Sequence, residues 1–386
     1  MQPADIVIVG GGVLGASIAH HLSLLRPGRI VLCDQARPPG RGATSRSGGL
    51  VRMHHSCRED VELAAASHET FARWPEVIGG DCGFRRTGFL LLVGPEHRRA
   101  LGANLVHLSR CGVATSLLDP DDVGELQPGW CLEGVGAAAY EPDSGYAEPR
   151  LATLGFLRRA CQAGVEVLAG VTVAGVRVER GRATGVETSA GPLPAGLVIL
   201  ATGAWSARLH GPLGLDVPVA CRQIAIAFLD AGASPDACRF TCIDDTLGIY
   251  FRPDDGTVMH GVDSGGVEVS PDDETPIVDP WRLAAARDRL ARRIPELATA
   301  PVVRVQSAFD GYTPDGHGLI GTVPGVDGVY LATGFSGGGF KVAPAVGRAV
   351  AREVVDGAEQ PLLAAFRPDR FGAGRAVSAA RPYTHL

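Results

Sequence analysis

Three glycines near the start of the chain, Gly10, Gly12 and Gly15, form a G-x-G-x-x-G pattern, and an acid, Asp34, follows them. Each position has a chemical reason. Gly10 permits a tight turn, Gly12 lets a pyrophosphate approach the backbone, and Gly15 lets a helix pack closely on a strand. The helix opened by Val13 and Leu14 would turn unpaired N–H groups toward the phosphates. Asp34, with Gln35 beside it, is placed to bond a ribose diol and would repel a 2′-phosphate, which argues against NADP. A purely structural glycine turn is the alternative. Strand, helix and acid in the required order favour an adenine dinucleotide.

A second group lies far along the chain. Lys341 is the one lysine among 36 Lys and Arg, and it ends the segment Gly334-Phe-Ser-Gly337-Gly338-Gly339-Phe340-Lys341. Val-Ala-Pro344 follows, then Val346, Val350 and Val354 at helical spacing. Proline suits the first turn of a helix, so the spacing predicts a helix starting near Pro344 with the glycines just ahead of it. N–H groups at a helix start, with one cation nearby, would stabilise negative charge such as a reduced flavin carries. A plain glycine loop between strand and helix is the alternative. Ala201-Thr202-Gly203-Ala-Trp205 looks like a further dinucleotide contact, and Val173 is another candidate. Together with a glycine motif at the start of the chain, these features favour FAD over NAD.

These residues need elements to position them. Asp5–Val9 is an apolar β-branched run, expected of a strand covered on both faces. A helical stretch to about Leu25 carries Leu14, Ile18, Leu22 and Leu25 on one side, and Arg29–Cys33 is the next strand. This is a βαβ unit, which predicts a parallel sheet. Leu197–Gly203 and Val329–Gly334 are both apolar and both end in Ala-Thr-Gly, bringing backbone to the sheet edge where ligands bind. Later segments read as hairpins instead: 248–252 with 257–262, and 173–179 with 183–187. Trp281–Ile294, with Leu283, Arg287 and Leu290 on one face, predicts an amphipathic helix covering a second sheet. The fold class is therefore mixed α/β, a Rossmann-type FAD-binding domain interleaved with a mixed or antiparallel-sheet substrate domain. The expected division gives 1–85, 150–215 and 305–386 to the cofactor domain and 86–149 and 216–304 to the substrate domain.

Composition narrows the class further. With 45% hydrophobic and 20% charged residues, and 52 Gly and 27 Pro without a repeat, the chain is neither collagenous nor disordered. A net charge of −6 and the lack of a basic run argue against a nucleic-acid partner. The nine cysteines are scattered, no C-x-x-C pair occurs, and Cys238 with Cys242 would make a poor zinc site, so no metal is expected. Free thiols suit a reducing cytoplasm. No signal peptide is apparent, and no apolar run approaches the ~20 residues of a membrane span. The expectation is a soluble cytoplasmic protein.

Several further motifs follow in order: Ala43-Thr-Ser-Arg-Ser-Gly-Gly-Leu-Val-Arg52, Tyr312-Thr-Pro-Asp-Gly-His-Gly-Leu-Ile-Gly321 and Phe366-Arg-Pro-Asp-Arg-Phe371. With the glycine motif, Ala201–Trp205 and Gly334–Lys341, the set resembles the FAD-dependent D-amino-acid oxidase family, most closely its sarcosine oxidase-like branch. The resemblance covers nearly the whole chain. It implies FAD as cofactor, with Ser45, Arg46, Ser47 and Gly48 near the flavin and its phosphates. It also implies that Arg52 and Lys341 hold a substrate carboxylate over the flavin. The pairing makes physical sense: arginine offers a planar bidentate fork, and lysine a compact charge that can also face the flavin.

Three departures bear on the chemistry. The cysteine that tethers flavin in monomeric sarcosine oxidase would fall near Ala308, and residues 243–386 contain no cysteine, so FAD should be noncovalent. Asp310 stands where glycine and D-amino-acid oxidases place an arginine and sarcosine oxidase a tyrosine. It would either accept a donor from a basic substrate or cap a loop. Finally, the second lysine that helps O₂ accept electrons is missing. The matching region is Thr257-Val-Met-His260, so either His260 replaces that cation or the acceptor is another carrier. His54 and His55 are candidates for the pocket wall, with surface or capping roles as the alternative. The predicted catalytic set is Arg52, Lys341, Asp310 and His260. The predicted reaction is oxidation of the C–N bond of a carboxylate-bearing amine, a secondary, N-methyl or cyclic amino acid, to an imine by hydride transfer to flavin. Its rivals are an FAD-dependent dehydrogenase, either of a 2-hydroxy acid or within a multi-subunit amine dehydrogenase, and a non-catalytic flavin-binding assembly protein.

Overall fold

The computed structural model describes all residues except 214–217, 233–235, 273–276, 381 and 384–386. The expected boundary between 215 and 216 lies outside the described residues.

The strand Ala4–Val9 runs through the first sheet, parallel to Gly191–Leu200 on one side and to Ile30–Asp34 on the other. Glu166–Ala169 and Val326–Thr333 extend the parallel order outward on the two sides. The run Ile6–Val9 is wholly buried because both of its faces are covered. Ile6 and Ile8 pack in one cluster with residues of the Val13–Leu25 and Gly339–Asp356 helices. Val7 and Val9 pack in another with Val186, Leu193 and Leu200. Alternation is present but hidden, as expected of a strand buried on both faces.

Both expected hairpins form. Val173–Glu179 pairs antiparallel with Arg182–Thr188 around Arg180 and Gly181, whose φ angles are +53° and +78°. Ile249–Asp254 pairs with Thr257–Val262 around Asp255 and Gly256, at +37° and +81°. Positive φ at both turn residues matches the twist of two-residue hairpins. Here it draws Pro253 and Asp254, read as turn, into the strand.

The second hairpin belongs to a second eight-stranded sheet, in which, among the described residues, only the contact between Thr241–Asp244 and Phe89–Val93 is parallel. The strand Val302–Tyr312 lies at its edge against Ala220–Asp230, so the expected boundary at 305 falls inside a strand. The helix Pro280–Arg293 covers this sheet through Ala286, Leu290 and Arg293, much as the sequence suggests. Arg293 is 1% exposed and bonds the equally buried Asp244 at 2.7 Å, which satisfies both charges.

One element starts earlier than expected. The helix over the glycine loop spans Gly339–Asp356, so Pro344 lies inside it and Lys341 in its first turn. Neighbouring side chains supply partners at this turn. Ser67 Oγ accepts the Ala345 N–H at 3.0 Å, and Ser17 Oγ donates to the Ala343 carbonyl at 2.8 Å. The proline therefore disturbs the helix locally without ending it.

Candidate active site

A cavity of about 970 Å³ runs from the first glycine motif to the second sheet. Its near end is built by the βαβ unit. Gly10 has φ +103°, and a Cβ there would meet the Ala201 carbonyl oxygen at 2.4 Å. At Gly15 a Cβ would lie 1.9 Å from the Gly10 oxygen, so Gly15 serves packing and does not line the cavity. Gly12 caps the Val13–Leu25 helix, and Gly12, Val13 and Leu14 line the cavity. Thr44 Oγ1, from the Ala43–Arg52 motif, accepts the Val13 N–H at 3.2 Å. Asp34 stands at the strand end beside Gln35, Val173, Ala201, Thr202, Gly203 and Trp205, all facing the cavity. Its carboxylate accepts N–H groups from Gly11 at 2.6 Å and Ala36 at 2.7 Å, which shape the turn as well as aiming the acid. Burial pushes the Asp34 carboxyl up, against these bonds.

Arg46, Ser47 and Gly48 also line the cavity, whereas Ser45 does not; its hydroxyl donates to the Gly42 carbonyl at 3.2 Å. Arg252, buried at 3% exposure, ties the second sheet to this loop by donating from Nε to the Gly48 carbonyl at 2.6 Å.

The far end is formed by Gly334, Gly337, Gly338, Gly339, Phe340 and Lys341 with Arg52. Lys341 Nζ is 3.4 Å from the Gly338 carbonyl. Burial, then the charge of Arg52, lowers Lys341 from 10.5 to about 7, with Asp60 opposing. Arg52 donates from Nη1 to the His54 carbonyl and lies over the Phe89 ring at 5.6 Å, while its Nε has no partner among the described residues. Burial lowers it to about 10 against the attraction of Glu141 and Asp60. Neither cation forms an ion pair among the described residues. Asp310 behaves as a loop cap: its carboxylate accepts the Gly311 N–H at 2.8 Å and the Gly337 N–H at 2.9 Å. It borders the cavity, and burial raises it to about 6.

His54 and His55 do line the cavity. Burial and then Arg52 push both down, His54 to about 3, so both are neutral. His54 Nε2 pairs with the Tyr383 hydroxyl at 2.9 Å. The Tyr312–Gly321 motif is pinned from the end of the chain. Arg370, 1% exposed, grips both oxygens of Asp315 at 2.8 Å and also reaches the His317 and Gly318 carbonyls. His317 in turn bonds Asp60 at 2.7 Å on the cavity wall.

His260, expected near the flavin, lies elsewhere. It does not line the cavity, because it sits opposite Ala227 and Phe251, on the sheet face packed beneath the Pro280–Arg293 helix. Burial lowers it to about 4. The neighbouring Met259 takes the other face, level with Phe228 and close to Gly48. The one-residue difference is decisive because successive strand side chains point to opposite faces.

Walls on the second sheet come from Ile224, Ile226, Ile243 and Tyr250. No described cavity-lining residue comes from 86–149, although Phe89 backs Arg52. The end of the chain contributes instead, through Val377, Ser378, Ala379 and Pro382.

A glycine cradle, an aimed acid and a roomy cleft fit a dinucleotide, and the buried cations Arg52 and Lys341 share that cleft. Together they define a dinucleotide-dependent oxidoreductase. Residues 5–353 match the DAO family of FAD dependent oxidoreductases, and the chain belongs to that family, with FAD as its cofactor. The FAD-dependent oxidoreductase domain-containing protein 1 of Bos taurus is 29% identical over 96% of this chain and 85% of its own length. The 4-methylaminobutanoate oxidase (formaldehyde-forming) of Paenarthrobacter nicotinovorans is 29% identical over 91% of this chain, which spans only 43% of that longer protein. Among solved structures, L-proline dehydrogenase from P. horikoshii matches with a TM-score of 0.88 and 27% identity, covering 97% of this chain and 99% of that one. No helix among the described residues is long and apolar enough to cross a membrane.

Proposed function

We propose that the protein oxidises an amino acid at its C–N bond, with a secondary, N-methyl or cyclic amine as the substrate class. One observation carries this proposal: Arg52 and Lys341 are both 8% exposed, share one cavity and lack an ion-pair partner among the described residues. Two such charges are costly unless a ligand answers them, and a substrate carboxylate answers both. The L-proline dehydrogenase and 4-methylaminobutanoate oxidase similarities support the same class of substrate.

Bound FAD supplies the capacity to accept a hydride from the carbon beside nitrogen. Gly10–Leu14 would hold its pyrophosphate and Asp34 with Gln35 its ribose. Ala201–Trp205 and Ser47–Gly48 would line its length. N–H groups at Gly337–Gly339 and the Lys341 charge would favour negative charge on the reduced ring. Arg52 fixes the carboxylate with its fork, and Lys341 supplies the second contact, which orients the C–H bond. Ile224, Ile226, Ile243 and Tyr250 keep water from the reacting carbon. Two cations also disfavour an ammonium, so the substrate amine is held in its neutral, reactive form. Noncovalent FAD, a cofactor domain interleaved with a substrate domain that includes the whole Val302–Tyr312 strand, and a cytoplasmic setting complete the proposal.

The test is anaerobic mixing with a panel of N-methyl, cyclic and primary amino acids and of 2-hydroxy acids, followed by the flavin absorbance. Bleaching by secondary amino acids is expected. Bleaching by 2-hydroxy acids alone, or by nothing in either class, overturns the proposal. Turnover with O₂ against a dye acceptor then separates oxidase from dehydrogenase.

A further inference from the structure

We propose that Cys57, Asp60 and His317 form a zinc-binding site in the wall of the catalytic cavity, through which Zn²⁺ reversibly shuts the enzyme down. Their ligand atoms all lie within 4.8 Å of one another, and all three residues face the cavity. Cys57 caps the Arg58–Ala72 helix and Asp60 lies in its first turn, so a three-residue step places both at the same helix start. His317 reaches them from the Thr313–Gly318 loop.

The surroundings resemble those of a built metal site. A ligating histidine commonly donates its second ring N–H to a carbonyl, which fixes the ring and raises its basicity. Here His317 Nδ1 lies 2.6 Å from the Asp315 carbonyl, leaving Nε2 aimed at Asp60. Asp315 is itself locked by the bidentate grip of Arg370. Cys57 Sγ donates to Glu59 Oε2 at 2.9 Å, and burial together with this bond pushes the thiol up to about 12, so zinc must displace its proton to gain the thiolate ligand.

Tetrahedral zinc with bonds of about 2.0–2.3 Å needs its ligand atoms roughly 3.3–3.7 Å apart. The 2.7 Å Asp60–His317 pair must open slightly and the thiol close in, which are rotamer-scale adjustments. One thiolate and one carboxylate offset the dication, so the occupied site is neutral and no longer presents the negative charge of Asp60 to Arg52 and Lys341. The fourth position opens into the cavity, where water completes the shell.

The consequence is inhibition. Asp60 is the carboxylate whose attraction opposes the lowering of both Lys341 and Arg52. Metal on Asp60 withdraws that support and occupies space beside the carboxylate clamp. A second cluster, Glu62, His107 and Cys111, does not line the cavity and provides an internal control.

Equilibrium dialysis of the tag-free holoenzyme against Zn²⁺, with elemental analysis, reads the site independently of any substrate. Wild type and Cys111→Ser should each retain one strongly held zinc that Cys57→Ser and His317→Gln lose. Flavin reduction by substrate should fall at least tenfold with zinc, recover with EDTA, and resist zinc in Cys57→Ser. Equal zinc retention by wild type and Cys57→Ser, or loss in Cys111→Ser alone, overturns the proposal. Because zinc stoichiometry is read without a substrate, its outcome is distinguishable from failure of the amino-acid oxidation proposed above.

Discussion

Replacing Lys341 by methionine removes a buried ammonium while keeping most of its volume. Lowering the group from 10.5 to about 7 means that folding pays for burying its charge. At 1.36 kcal/mol per pH unit, that places a ceiling of roughly 4–5 kcal/mol on the stability gained by Lys341→Met in the ligand-free holoenzyme. The folded value lies below the unfolded one, so the unfolded chain binds more protons between about 7 and 10.5. The advantage of the variant is therefore complete below about pH 7 and disappears as pH rises toward 10.5. Binding should move the opposite way. A charge-assisted contact contributes about 1.5–3 kcal/mol, so affinity for a non-oxidisable carboxylate such as benzoate should fall roughly 10- to 150-fold. In wild type that affinity should also weaken above pH 7, as the lysine loses its proton, while the variant shows no such dependence. Thermal denaturation across pH, and titration of the flavin absorbance with benzoate, measure the two effects. A variant that melts lower than wild type at pH 6 and binds benzoate equally well refutes the placement of this charge in the substrate site.

Other perturbations test separate parts of the structure. Arg52→Lys keeps a charge but loses the fork, so carboxylate affinity measured by the same titration should fall at least tenfold. Gly10→Ala drives a methyl into the Ala201 carbonyl, and the purified protein should be largely free of FAD in its visible spectrum. Arg370→Leu strands the Asp315 carboxylate. Burial alone would push that acid up, but hydrogen bonds from Arg370 and the Val377 N–H hold it at about 2. The substitution should cost about 3–5 kcal/mol in chemical denaturation at neutral pH, and the Asp315 contribution should be lost as pH falls from 3.8 toward 2. His260→Gln should leave the rate of flavin reduction within twofold in stopped-flow measurements, because the ring lies on the far face of its sheet.

Much of the cofactor end was legible because its signals are local. A glycine pattern, a strand on each side of a helix and a closing acid all fall within 34 residues. The hairpins were legible for the same reason, through Gly181 and Gly256 at their turns. Lys341 stood out by composition, but its place inside a helix did not, because the partners of Ala343 and Ala345 come from Ser17 and Ser67, hundreds of residues away. His260 went astray by one residue of strand alternation, which only the register against Ala227 decides. The role of Asp310 is set by its bonds to the Gly311 and Gly337 N–H groups, and Gly337 is too distant in sequence for a local pattern to reveal. Asp60, Arg252 and Tyr383 carry no motif. Their importance arises from contacts to His317, Gly48 and His54 across long stretches of chain.

The central claim is that a carboxylate clamp made by Arg52 and Lys341 selects and orients an amine for oxidation. Its most direct test is anaerobic stopped-flow reduction of the flavin by a matched pair, a cyclic secondary amino acid such as proline and its decarboxylated amine, pyrrolidine. The structure predicts rapid bleaching by the amino acid and reduction at least a hundredfold slower by the amine. Equal rates for the two, or reduction by the amine alone, would contradict it.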